Sequence, residues 1–127
     1  MLKMKTKHLK GLTYSEFDNT VGPKLMYAYP QSILSKERFE ELSDYVIVGN
    51  HLCRKIIEVK NDDLAYMNYS IAIDNPKYGR NTLLFSLGFV FDCDSVTEPF
   101  EPILIKFAES LLALEVSQFI SILYQLR

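Results

Sequence analysis

Cysteine is scarce in this 127-residue chain: Cys53 and Cys93 are the only two, so no disulfide framework holds the protein together. They read as reduced thiols, which fits a cytosolic protein. The five glycines are scattered rather than clustered, which excludes a glycine-rich phosphate loop. The two histidines, His8 and His51, lie far apart, and neither has a Cys or carboxylate at ligand spacing. A zinc site is therefore not expected. No apolar run approaches the ~20 residues of a membrane-spanning helix, and the first residues lack the apolar middle of a signal peptide. Charge of one sign is also lacking: a net charge of −2 argues against nucleic acid or an anionic membrane as partner. The one basic cluster, Lys3, Lys5, Lys7 and Lys10, reads as a solvated N-terminal arm.

What is present is ordinary globular composition, 48% apolar and 24% charged, at a length that suits one domain. Residues 8–17 carry a loose strand pattern in Leu9, Leu12, Tyr14 and Phe17. Asp18-Asn19-Thr20-Val21-Gly22-Pro23 supplies turn chemistry, and Lys24 to Tyr29 reads as the return strand, ended by Pro30. Ser35 is half of a capping box, with Arg38 where Glu would complete it. Phe39, Leu42, Tyr45 and Val46 then form one stripe of a helix of about 13 residues, stopped by Gly49-Asn50. Lys55 to Lys60 is a short strand, Asn61-Asp62-Asp63 a turn, and Leu64 to Ile73 a longer strand with Met67, Tyr69, Ile71 and Ile73 on one face.

The stretch from Asn75 to Asp92 organises the rest. Thr82 to Asp92 is an almost unbroken apolar run, rich in Phe and Leu, which predicts a strand covered on both faces. Before it lies a polar loop, Asn75 to Asn81, containing Pro76, Gly79 and Arg80. From Glu98 the chain reads as helical to Arg127. Phe100, Ile103, Leu104, Phe107, Leu111 and Leu114 form a stripe, and Pro102 sits in the first turn, where its missing N–H matters least. The stripe changes phase near Glu115–Ser117 and restarts at Val116, Phe119, Ile120, Leu123 and Tyr124, which predicts a kink there. That apolar tail calls for a partner or for more chain. The expectation is an α/β fold of the α+β type, a three-layer sandwich. Its sheet has five mainly antiparallel strands, with one helix between strands two and three and one or two helices at the C-terminal end.

Enzymatic chemistry of the chain's own is thin. Cys53 with His51 nearby invites a nucleophile reading, but the commoner one is a structural Cys at a helix-to-strand junction. Asp62-Asp63 and Asp92 with Asp94 read as turn residues. Arg80 is different, because an arginine on a loop at the mouth of a rigid strand can be presented to another molecule. Pro76 and the following strand brace that loop, Gly79 lets it bend, and Asn81 can bond the backbone. On the residues alone the commoner reading is still a solvated hairpin arginine.

Several blocks taken together carry more. Ser15-Glu16-Phe17, Gly22-Pro23-Lys24, Tyr78-Gly79-Arg80-Asn81, Leu84-Phe85-Ser86-Leu87-Gly88-Phe89-Val90 and Glu101-Pro102-Ile103 resemble the N-terminal longin domain of the nitrogen permease regulator 2-like family. The resemblance covers roughly residues 9–115, and members of that family are longer than this chain. It implies a single longin domain that pairs with the longin domain of a nitrogen permease regulator 3-like subunit. It further implies a GATOR/SEACIT complex with a DEP-domain subunit, which restrains TOR signalling in response to amino acids and nitrogen. That complex accelerates GTP hydrolysis on a Rag-family GTPase at the lysosomal or vacuolar surface. The family's catalytic arginine matches Arg80, and Lys77, Tyr78 and Asn81 become candidates for touching the GTPase. No cofactor is implied for this chain, since GTP and Mg²⁺ belong to the GTPase. The alternative is a non-catalytic longin scaffold for protein pairing or membrane trafficking. It predicts that the apolar side of the first helix, or of the C-terminal segment, is incompletely covered.

Overall fold

The computed structural model describes residues 9–18, 22–46, 54–74 and 82–114 of the chain. Strands β1 (Leu9–Asp18) and β2 (Gly22–Tyr29) pair antiparallel as the expected hairpin. Gly22 has a φ of +85° and nothing within 4 Å of a would-be Cβ, so conformation rather than space requires glycine there. Tyr14 pairs with Tyr27 but Ser15 pairs with Leu25, which makes Met26 the extra residue of a β-bulge. The bulge flips the alternation of β2, so Tyr27 joins one core and Leu25 packs against the other.

Helix α1 spans Lys36–Val46. Ser35 caps it, its Oγ accepting from the Arg38 amide at 3.0 Å, as the half capping box predicts. The predicted continuation to Gly49-Asn50 lies outside the described residues, as do His51 and Cys53. Phe39 and Leu42 are buried and pack with Leu34, Leu64, Tyr66 and Val90. The expectation that this side of the helix stays uncovered is therefore corrected for those two residues: the sheet itself covers them.

Strands β3 (Ile56–Lys60), β4 (Leu64–Asp74) and β5 (Thr82–Asp92) follow. Between β3 and β4 the Asn61 side chain caps the turn, accepting from the Asp63 amide at 2.7 Å and the Leu64 amide at 3.0 Å. The five strands form one sheet in the order β2-β1-β5-β4-β3, with every neighbouring pair antiparallel. The apolar run is its middle strand, as predicted.

A single 3-10 turn, Glu98–Phe100, leads into helix α2, Glu101–Leu114. It packs on the opposite face of the sheet from α1, over Met67, Tyr69, Ile71, Phe85, Leu87 and Phe89. This is the expected α/β/α longin-like sandwich. The predicted stripe of α2 needs one correction. Leu104, Ala108 and Leu111 are the fully buried positions, whereas Ile103 is 54% and Leu114 49% exposed. The helix is apolar nearly all round, so spacing alone did not select the face. Small Ala108 is fully buried against the sheet, and the larger Ile103 turns outward. Exposure of these two residues agrees with the expected incomplete cover of the C-terminal segment. The predicted kink at 115–117 lies outside the described residues.

Candidate functional site at the β4–β5 connection

The loop singled out in the sequence joins the two strands at the heart of the sheet. Strand β4 reaches its mouth at Asp74 and β5 leaves at Thr82, and those two residues form the last pair of an unbroken eleven-pair register running back to Leu64↔Asp92. On its other side β5 pairs with β1 from Leu9↔Phe91 to Glu16↔Phe85. The roots of the connection are thus paired with each other, and from Phe85 onward β5 is hydrogen-bonded on both edges. Arg80, Lys77, Tyr78 and Asn81, with Pro76 and Gly79, lie outside the described residues.

The same end of the sheet carries the β1–β2 turn, because Glu16 pairs with both Phe85 and Lys24 and the hairpin closes at Asp18↔Gly22. Phe17 there is 37% exposed beside Pro23, its partner in register. Below this end, on the α1 face, Ser15, Ser86 and Ser70 lie in one row across three strands, with Thr13, Gly88 and Asn68 in the next. These polar side chains are buried, and they bond one another. Ser86 Oγ donates to Asn68 Oδ1 at 2.6 Å, and Thr13 Oγ1 and Tyr66 OH are 2.7 Å apart. Burial pushes the Tyr66 phenol up to about 12, partly offset by its hydrogen bond with Thr13.

A second polar node, missed by sequence reasoning, ties α2 to the sheet. Glu109 Oε2 accepts from the Arg54 guanidinium and, at 3.1 Å, from Tyr69 OH. Arg54 takes up a φ of 62°, and its amide donates to Ser70 O at 2.8 Å. The hydrogen bond to Glu109 raises the Arg54 pKa, while burial and then Glu109 raise that of Tyr69. No sequence signal links residue 54 to residue 109, since only the packing of α2 brings them together.

Among the described residues no three His, Cys, Asp or Glu side chains are placed to hold a metal. Cys93 is a free, half-buried thiol. Nor, among the described residues, is any helix long and apolar enough to cross a membrane. What the described residues provide is a pair of strands, β4 and β5, that end side by side where the seven-residue connection begins and ends.

Comparison with known proteins agrees with the sequence blocks. Residues 7–124 match the family model described as Nitrogen permease regulator 2. The chain is 36% identical over 102 residues to the Drosophila melanogaster "GATOR complex protein NPRL2", covering 80% of this chain and 25% of that protein. It is 33% identical over 104 residues to the Saccharomyces cerevisiae "Nitrogen permease regulator 2", covering 80% of this chain and 17% of that one. The Schizosaccharomyces pombe "Nitrogen permease regulator 2 homolog" matches at 32% over 77 residues, 61% of this chain and 19% of its own length. The chain thus spans a quarter or less of these curated relatives. The match to the family model takes in nearly the whole chain, the β4–β5 connection included, and on that ground the chain belongs to the nitrogen permease regulator 2 family.

Proposed function

We propose that this chain is the longin portion of a GTPase-activating subunit and that Arg80 is the arginine it supplies in trans. One observation carries the reading: the Tyr78-Gly79-Arg80-Asn81 block joins the two central strands of the sheet, in a chain that belongs to this family. Phosphoryl transfer spreads negative charge over the transferring group and its oxygens. A guanidinium presented there stabilises that charge by about 10³–10⁵ in rate, provided it is long, permanently ionised and carried on something rigid. The Asp74↔Thr82 pair supplies the rigid base. Lys77, Tyr78 and Asn81 would position the loop against the GTPase, and GTP with its Mg²⁺ would come with that GTPase.

In this reading the partner GTPase is of the Rag family, and the assembly is of the GATOR/SEACIT type that restrains TOR signalling when amino acids are short. The chain pairs through its longin fold with a nitrogen permease regulator 3-like subunit, beside a DEP-domain subunit. The complex holds the protein peripherally at the lysosomal or vacuolar surface. The test is Arg80→Ala in the reconstituted complex, followed by single-turnover GTP hydrolysis on the Rag GTPase. The expected loss is about 10³-fold or more with complex assembly and GTPase binding intact. Arg80→Lys recovers only part of the rate, since it keeps the charge but not the fork. An unchanged Arg80→Ala rate sinks the reading and leaves the second one, a longin scaffold without catalytic part, which the exposed Ile103 and Leu114 of α2 favour.

A further inference from the structure

At the mouth of the sheet, on the α1 face, residues of four strands line up in one row. The β1–β2 register pairs Phe17 with Pro23, and the β4–β5 register pairs Leu84 with Ala72. Between them β1 and β5 pair as far as Glu16↔Phe85, and one residue further brings Phe17 level with Leu84. The row Pro23, Phe17, Leu84 and Ala72 is therefore apolar from end to end. It stands two residues outward of the row of Ser15, Ser86 and Ser70, which is buried and polar.

None of the four belongs to either hydrophobic core. Leu84 is buried, Pro23 and Ala72 are half-buried, and Phe17 is 37% exposed. A lone exposed Phe on a surface needs no explanation. Here the ring continues a buried apolar residue across a strand boundary, which makes a surface rather than a stray side chain. Its place gives that surface a use. Ala72 lies two residues before Asp74 and Leu84 two after Thr82, so the row crosses the same two strands that carry the Arg80 connection. At ~3.4 Å per residue and ~4.8 Å between strands, the backbone at Phe17 stands roughly 8 Å from Thr82. A protein that meets the connection meets this row as well.

One arginine on a seven-residue connection offers little contact area, and a misplacement of about 1 Å costs on the order of 10² in rate. Apolar aromatic anchors beside such a group are what hold a partner in register. We infer that the row centred on Phe17 seats an apolar patch of the GTPase while Arg80 reaches its nucleotide, an assignment that rests on reading this chain as a GTPase activator. Phe17 is a positioning residue, since it touches the partner protein and not the reacting atoms. Its contacts are the same before and in the transition state. They therefore lower the concentration at which the GTPase is engaged and leave the rate at saturation alone.

The test is made on the reconstituted complex, with single-turnover GTP hydrolysis followed over a range of complex concentrations. Phe17→Ala is expected to raise the half-saturating concentration about tenfold and to keep the maximal rate within about twofold. Phe17→Leu, which keeps the apolar bulk, should recover most of that loss. Because Phe17 belongs to neither core, assembly and the unfolding midpoint should stay at their wild-type values. Arg80→Ala, run alongside, should do the reverse and lower the maximal rate without moving the half-saturating concentration. An unchanged half-saturating concentration in Phe17→Ala overturns the inference, and beside a normal Arg80→Ala defect it leaves the activator reading intact. A fall in maximal rate alone overturns it too, as does a loss that Phe17→Leu fails to relieve and that tracks a lowered unfolding midpoint. If Arg80→Ala has no effect while Phe17→Ala weakens engagement, the arginine reading falls and the seating surface stands.

Discussion

Strand β5 shows two chemistries on its two faces. Toward α2 it presents Phe85, Leu87, Phe89 and Phe91, and toward α1 it presents Leu84, Ser86, Gly88 and Val90. The α2 face is filled by volume. Phe89 meets Phe91 at 6.2 Å and Phe100 at 6.4 Å between ring centroids, both edge-on, the geometry aromatic quadrupoles favour. The α1 face is filled by fit and hydrogen bonding. Gly88 leaves the room in which the Tyr66 ring lies: a Cβ on it would stand 2.7 Å from Tyr66 Cε1 and 2.6 Å from Thr13 Oγ1. Neighbouring positions on one strand therefore fail in opposite ways, one by losing atoms and the other by gaining them.

Removing a ring breaks the comparison hardest. Phe89→Ala should lower unfolding free energy by about 3–5 kcal/mol in urea titrations, because the gap between β5 and α2 cannot close. Its neighbour should respond to an addition instead. Gly88→Ala is expected to destabilise by about 1–3 kcal/mol, through displacement of the Thr13–Tyr66 pair rather than loss of apolar area. A neutral result would mean that the α1 face is looser than its distances suggest.

The smallest effect at neutral pH belongs to the phenol. Tyr66→Phe should cost about 1–2 kcal/mol, since it strands the buried Thr13 hydroxyl. Its signature lies in the pH dependence. The fold favours the neutral phenol, so that contribution is fully present below the unfolded pKa of about 10 and is lost as pH rises toward about 12. Two pKa units correspond to at most about 3 kcal/mol. Unfolding midpoints taken from pH 8 to 11.5 should fall on this account in the wild type, with that part of the slope absent in Tyr66→Phe. Identical slopes would place the Tyr66 hydroxyl in contact with water.

These contrasts also explain which parts of the protein could be read in advance. The central strand, the Ser35 cap and the Asn61 turn depend on local chemistry, and each was visible as a short pattern. The burial of Asn68 and Ser70 was not: in a strand, polar residues alternating with Tyr69 and Ile71 look like a solvent face, and only α1 above them turns that face inward. The Met26 bulge left no trace, because Leu25 to Tyr29 is apolar with or without a change of side. Ile103 and Ala108 exchanged places for a similar reason, since hydropathy ranks the larger residue higher while close packing selects the smaller. At the candidate site, Arg80 was reached through its sequence block, and the paired roots of its loop through the strand pattern.

The strand order has one more consequence, and it concerns time. Lys10 and Asp92 lie 82 residues apart in sequence and 3.3 Å apart in space, because the first strand sits beside the last. At about 5–20 residues per second of synthesis, β1 waits roughly 4–16 s for its inner neighbour. Until then it has only β2, and an isolated hairpin is marginal in water. The sheet therefore closes only once β5 has emerged from the ribosome. By then the segment carrying Arg80 has already been made, so the first complete sheet a cell can obtain from this chain already holds that loop between its two central strands.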